Sequence, residues 1–496
     1  MNTDIQQLHN QLKEKYSIKA FVDLGDICVR PGALMEQLDR VYQEAYNETD
    51  RIVFYTGNDI PDSVLKHLYS TTNFLDISNY FVLVCSPERN KSRVDAGCEK
   101  YSSDPIPFQF LSVEFNETAE LVNQFSLPET VCAIPWSNLE IRSNGTITPC
   151  CMTTDISLGN IQTDSLESAF NSAAAIRLRQ DLLNGIKSKH CDSCWKVEDR
   201  GLTSIRLHNE KRLKKSFLLK SVERPEINTL DIKFNNTCNF KCRICSSGSS
   251  SLFAYEEHKF KGIPLVSQPN WGESDDFLKQ LDVHIDHLDN IDMYGGEPFL
   301  MKKFAVTLKS AVDKGVAKNI RLHYNSNGSV WPEEFLKYWP HFKLVDIHFS
   351  IDDIGQRFEL ERGGNWNAVE KNIISLKNLN LPNLNIQIMP TVSIMNIYYI
   401  DELYNWAQKH NFPMFVSHVR GKGFELENLT PEARGLIIEK YKNHPWDEMK
   451  KIVKLISDAR PGDPNRFIES TKWFDTVREE NFSTSHPEIA KAMKYN

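Results

Sequence analysis

Three cysteines within eight residues constrain this chain more than any other feature. They stand as Cys238-Asn-Phe-Lys-Cys242-Arg-Ile-Cys245, directly after a strand-like run from Asn228 to Asn235. A cubane iron–sulfur cluster normally takes four thiolates. Three leave one iron open, and an open metal position is where chemistry takes place, as it is at zinc. A zinc loop, or three unrelated buried cysteines, is the plainer alternative. The chain has eleven cysteines, an odd and small number for a disulfide scaffold of 496 residues. In a reducing compartment, clustered cysteines more often bind metal. A second group comprises Cys132, Cys150, Cys151, Cys191 and Cys194, while Cys28, Cys85 and Cys98 are scattered, as buried cysteines usually are.

From about 225 to 420 the pattern is strand then helix, repeated. Strands are expected at 230–234, 287–294, 319–324, 344–349, 384–392 and 414–418, with helices at 304–314 and 367–379 and a long helical insertion reaching Trp271 to Leu281. Six strands alternating with helices imply a parallel sheet. In αβ barrels function collects at the carboxyl ends of strands. The polar motifs sit there: the cysteine loop after the first strand, Gly295-Gly296-Glu297-Pro298 after the second, Asn325 and Asn327 after the third, Ser350 and Asp352 after the fourth. Arg362, Ser393 and His418 are further pocket candidates. Two adjacent glycines let backbone approach a ligand closely; a tight turn capped by Glu297 is the structural alternative.

The CxxxCxxC spacing, the strand before it and the GGEP loop together resemble the radical S-adenosylmethionine (SAM) superfamily. The resemblance implies a partial (βα)6 TIM-like barrel. Cys238, Cys242 and Cys245 would hold a 4Fe-4S cluster whose fourth iron is chelated by the amino and carboxylate groups of SAM. Gly295, Gly296, Glu297 and Pro298 would hold the methionine amino group, and Asn325, Asn327 and Ser350 lie where relatives contact the carboxylate and ribose. The activity implied is reductive cleavage of SAM to a 5′-deoxyadenosyl radical that abstracts hydrogen from a substrate.

The second cysteine group is spread over a hairpin pattern with an Asn144-Gly145 turn, a helical run from Ser165 to Gly185, and Cys191-Asp-Ser-Cys194. This order resembles the SPASM/twitch module, which holds an auxiliary four-iron cluster. The carry-over falls on Cys132, Cys150, Cys191 and Cys194; Cys151 competes with Cys150, and a zinc ribbon is the alternative site. In most relatives the module follows the catalytic domain, whereas here it precedes it.

The expected domains are a small α/β domain over 1–125, the auxiliary module over 126–222, the catalytic barrel over 223–424 and a helical segment over 425–496. The first shows strand candidates at 18–24, 51–55 and 81–85 and helices at 32–45 and 62–69, a Rossmann-like alternation. It has neither G-x-G-x-x-G nor P-loop. Residues 210–220 form a basic helix between modules. Thr430 and Pro431 begin the helical tail. A net charge of −8 argues against a nucleic-acid binder. No apolar run is long enough to span a bilayer and no signal peptide is evident, so a cytoplasmic protein is expected. Modules of the SPASM type often accompany modification of a peptide or protein side chain, which is the expected substrate. A sugar or nucleotide dehydrogenase or epimerase, and a non-catalytic metal scaffold, are the alternatives. An electron donor such as flavodoxin or ferredoxin is the expected partner.

Overall fold

The computed structural model describes residues 128–495, apart from 154, 200, 213–224 and 266–268, together with four earlier strands. Those strands are β1 (Ile18–Asp23), β2 (Arg51–Tyr55), β3 (Leu75–Ile77) and β4 (Tyr80–Cys85), in the order β1-β2-β4-β3. β1 and β2 are parallel, as a crossover connection requires, but β4 runs antiparallel to β2 and β3 pairs antiparallel with β4. The sheet is therefore mixed, with one parallel and two antiparallel pairings. The helices expected at 32–45 and 62–69, and the basic run beyond Arg212, lie outside the described residues.

The chain divides into two compact units. The first takes residues 1–136, 179–188 and 194–225, the second 137–178, 189–193 and 226–496.

The second unit is built on an eight-stranded sheet ordered β12-β11-β10-β9-β8-β5-β6-β7. Its members are β5 (Asn138–Ile141), β6 (Thr146–Thr148), β7 (Gly159–Asn160), β8 (Thr229–Lys233), β9 (Asn290–Tyr294), β10 (Arg321–Ser326), β11 (Leu344–Phe349) and β12 (Leu384–Ile388). β8 to β12 are parallel neighbours in chain order. The hairpin β5–β6 closes around Asn144-Gly145, with Gly145 at φ +86°, and extends this sheet: β5 lies parallel beside β8, Leu139 against Leu230 and Ile141 against Ile232.

Alternation gives each strand two faces. Leu230, Ile232, Ile291, Met293, Leu322, Val345 and Ile347 are fully buried against helices α2 (Asp275–His284), α3 (Ala305–Asp313), α5 (Trp366–Lys377) and α6 (Ile400–Lys409). At about 25 cal/mol per Å² this is the main stabilising layer of the unit. The opposite face carries Asp231, Lys233, Asp292, Tyr294, Arg321, His323, Asp346 and His348, in the alternate positions of β8 to β11.

The expected fifth strand is broken by Pro390, which lacks the N–H a ladder needs. β12 ends at Ile388, which makes an isolated parallel bridge with Met414, and Thr391–Val392 (β13) pairs in parallel with Ser417–His418 (β14). The expected helical insertion is two elements, α1 (Ser251–Lys261), ending on Gly262 at φ +67°, and α2. The run 165–185 is likewise two helices, Leu166–Phe170 and Ala173–Leu183. The tail starts as expected, Thr430 accepting from Ala433 N–H with Pro431 at the first position. Its helices form a second apolar core with Ile437, Met449, Ile452, Phe467, Phe474 and Phe482, joined by Val392 and Ile394. No helix among the described residues is long and apolar enough to cross a membrane.

Candidate functional site

The cysteine loop leaves the carboxyl end of β8 and is fastened at almost every residue. Asn235 Oδ1 accepts from Thr237 N–H at 2.8 Å, and Thr237 C=O accepts from Glu297 N–H at 2.9 Å. Ser250 Oγ donates to Phe240 C=O at 2.5 Å, and Cys245 N–H closes a turn on Cys242 C=O at 2.9 Å. Arg243 N–H reaches Glu361 C=O at 2.8 Å, at the end of α4 (Gly355–Arg362). The Cys238 sulfur accepts from Phe240 N–H at 3.4 Å.

The Arg243 guanidinium, fully buried, pairs with Asp475 and Glu480 at 2.6 Å each. Arg478 pairs with Glu256 of α1 at 2.6 Å and donates to Lys241 C=O at 2.7 Å. The helical tail thus grips the cysteine loop itself, a role its sequence did not announce.

Cys238, Cys242 and Cys245 are thiols, Cys242 buried and the other two half-buried. Burial pushes Cys238 up to about 11 and Cys242 to about 12, and raises Cys245. Cys238 and Cys245 each raise Cys242 further, so the three sit within electrostatic reach of one another, while Arg362 pulls all three down. Three soft sulfur donors drawn together by backbone bonds, with a buried guanidinium to offset their negative charge, suit an iron–sulfur cluster.

The GGEP loop packs against this loop. Gly296, at φ +56°, lies so close that a Cβ there would stand 2.2 Å from Thr237 C=O; a Cβ at Gly295, φ +82°, would meet Lys233 Cβ at 3.0 Å. Pro298 opens a 3-10 turn that Glu297 caps, accepting from Phe299 N–H at 3.2 Å. The fully buried Glu297 carboxylate also takes Ser326 Oγ–H at 2.9 Å and Asn327 N–H at 2.7 Å. Burial pushes it up to about 7, against the lowering effect of these donors. Glu297 therefore locks the ends of β9 and β10 together. Asn327 is similarly engaged: Nδ2 donates to Asn239 Oδ1 at 3.0 Å and lies 3.9 Å from the Cys238 sulfur. Asn325, half-buried, is the penultimate residue of β10, and Ser350 N–H is bonded to Ser326 C=O at 2.8 Å.

Of the other candidates, Asp352 holds Arg362 at 2.5 Å and accepts from Thr391 N–H. Ser393 caps a turn through Met395 N–H, and His418 is exposed on β14.

The second cysteine group is split between the units. In the first, Arg206 pairs with Glu198 at 2.7 Å, donates to Glu129 and Val131 C=O at 2.6 and 3.1 Å, and lies 5.0 Å over Trp195. It thereby ties the segment carrying Cys132 to the helix Asp192–Glu198, which carries Cys194. In the second, Cys150 follows β6 and is buried, its carbonyl accepting from Thr153 Oγ1 at 2.7 Å, and Cys191 ends a 3-10 turn. The Cys151 thiol hydrogen-bonds Cys150, which lowers its pKa.

The radical SAM superfamily pattern matches residues 232–407, and the SPASM pattern, an iron–sulfur cluster-binding domain, matches residues 132–195. No curated protein matches the sequence. Similar solved structures include Streptococcus suis SuiB bound to precursor peptide SuiA, at 11% identity and TM-score 0.29, covering 58% of each chain. SuiB bound to S-adenosylmethionine gives 12% identity and TM-score 0.30, over 56% of this chain and 62% of SuiB. TYW1 with a lysine-pyruvate adduct gives 14% identity and TM-score 0.23, over 42% of this chain and 70% of TYW1. The chain thus spans about three fifths of the SuiB chains it matches. A radical SAM domain takes a 4Fe-4S cluster and SAM, a SPASM domain takes auxiliary iron–sulfur clusters, and the thiols for both are present. The chain thus carries a radical SAM domain over residues 232–407, of an enzyme superfamily, and a SPASM iron–sulfur domain over residues 132–195.

Proposed function

We propose that Cys238, Cys242 and Cys245 hold a three-thiolate 4Fe-4S cluster, and that the enzyme uses it to cleave SAM and abstract hydrogen from a peptide or protein side chain. The observation that carries this reading is the docking of Gly296 on Thr237 C=O, which fixes the GGEP backbone against the cysteine loop. When bound, the cluster and SAM supply one electron, a broken carbon–sulfur bond and the hydrogen-abstracting nucleoside.

The chain's own residues prepare that chemistry. The backbone at Gly295 and Gly296 presents acceptors to an ammonium group. Glu297 and Asn327 spend their side chains on protein donors and acceptors, so they hold the loops in place. Asn325 and Ser350 are the polar side chains at strand ends that supply ligand contacts. Arg362, held by Asp352, places a buried positive charge beside the thiols. Cys132, Cys150, Cys191 and Cys194 hold the auxiliary cluster, Arg206 organising one half of the set. β8 to β12 form the core of the partial barrel, and a one-electron donor, flavodoxin or ferredoxin, serves from the cytoplasm.

The test is anaerobic reconstitution with iron and sulfide, reduction by dithionite, addition of SAM and assay for 5′-deoxyadenosine. Release is expected without substrate and faster with the correct peptide. No release from cluster-loaded protein would refute the reading, and acceleration only by sugar or nucleotide substrates would replace the peptide.

A further inference from the structure

The polar face of the sheet holds a group of side chains that the cysteine loop does not use. His323 on β10 stands in register with Asp346 on β11, and His348 follows two residues along the same face. His323 Nδ1 and His348 Nε2 each lie 3.5 Å from Asp346 Oδ2, and the three donor atoms fall within 4.8 Å of one another. Their side chains are 12%, 20% and 7% exposed for His323, His348 and Asp346.

We propose that His323, Asp346 and His348 form a binding site for a divalent cation, separate from both cysteine sets.

Three observations carry this. First, metal–nitrogen and metal–oxygen bonds of about 2.0–2.2 Å in tetrahedral geometry put donor atoms about 3.3 Å apart, close to the two 3.5 Å separations. Second, His348 Nε2 is buried and stands 3.5 Å from Asp346 Oδ2, longer than a normal N–H···O hydrogen bond. Buried polar atoms in native proteins are rarely left so. Third, Asn385 on β12 donates to Asp346 Oδ1 at 2.7 Å, orienting the carboxylate and leaving Oδ2 toward the imidazoles, as outer partners of metal ligands do.

Arg321 is the competitor. Its guanidinium sits 2.5 Å from Asp346 Oδ2 and 3.5 Å from His323 Nδ1, at the oxygen the ion would take. It also lies 3.5 Å from Asp292, a second carboxylate to which it can turn. Ion binding therefore requires Arg321 to exchange Asp346 for Asp292. That gives the proposal a signed consequence: removing Arg321 tightens metal binding, whereas it would only weaken a purely structural ion-pair network.

The ion to use is Mn2+, which thiolates bind poorly, so the cysteines compete little. Cluster-loaded, oxidised full-length protein is titrated with Mn2+, and free Mn2+ is read from its six-line electron paramagnetic resonance signal. One ion per chain is expected to bind, with 14N modulation from imidazole. Arg321→Gln should bind several-fold more tightly, and the double variant His323→Ala/His348→Ala should lose the site, with cluster absorbance and circular dichroism confirming its fold. An undiminished free signal, loss of binding in Arg321→Gln, or bound Mn2+ without nitrogen modulation would each overturn the proposal. Should the double variant not fold, the Arg321→Gln titration and the nitrogen modulation of the parent decide alone.

Discussion

The two cysteine sets differ in how the chain assembles them. Cys238, Cys242 and Cys245 ride on one eight-residue loop, closed by its own turns and fastened by α1, α4, the GGEP loop and the helical tail within a single compact unit. Cys132 and Cys194 belong to one unit and Cys150 and Cys191 to the other. The first set's donors lie on one short stretch of chain, which distant elements only fasten. The second needs long-range organisation, of which Arg206, reaching from Glu198 to Val131 C=O, is the part that lies within one unit. A site made locally should tolerate loss of the other, and a site made by tertiary assembly should be the more fragile.

The largest effect should come from replacing Cys238, Cys242 and Cys245 together by Ala. SAM cleavage should fall below detection, and iron should drop by about half as two four-iron clusters become one. Iron analysis and 5′-deoxyadenosine assay check this, and unchanged cleavage would break the comparison at its stronger end. Replacing Cys191 and Cys194 by Ala should also remove about half of the iron, yet leave cleavage uncoupled from substrate; loss of both clusters would show that the loop is not independent.

Arg243→Met should come next. It strands Asp475 and Glu480 beside the loop, and breaking a buried ion pair by removing one partner costs about 3 kcal/mol or more. Denaturant unfolding should show that loss, and the loop cluster should bleach before the auxiliary one. Gly296→Ala should slow SAM cleavage at least about tenfold, since a left-handed non-glycine residue costs ~1–3 kcal/mol before its contact with Thr237 is counted. Gly315→Ala, equally left-handed at φ +72° but with nothing nearby, is the control and should leave cleavage unchanged. The smallest effect should be Asn325→Ala, raising the KM for SAM about fivefold, the worth of one hydrogen bond near 1 kcal/mol.

What sequence shows and hides follows the same division. The cysteine spacing, the GGEP loop and the capped start at Thr430 are local, and each is found where the residues imply. Glu297 is in the expected place, but its carboxylate accepts from Ser326 and Asn327, partners 29 and 30 residues away, which no local motif announces. The hairpin at Asn144-Gly145 is legible, but its union with β8 depends on Leu139 meeting Leu230 from a distant part of the chain. His323, Asp346 and His348 signal nothing one strand at a time; their two-residue alternation with Leu322, Tyr324, Val345 and Ile347 marks a polar face, and only register brings them together. Pro390 could have been read as a strand break, because it cannot donate to a ladder.

The central claim is that the loop leaves one iron for SAM to chelate. The most direct measurement is electron paramagnetic resonance of the reduced, cluster-loaded enzyme with and without SAM. One of two signals should change shape on adding SAM, and the triple variant Cys238→Ala/Cys242→Ala/Cys245→Ala should lack that signal while keeping the other. Two signals that are both indifferent to SAM would contradict the account.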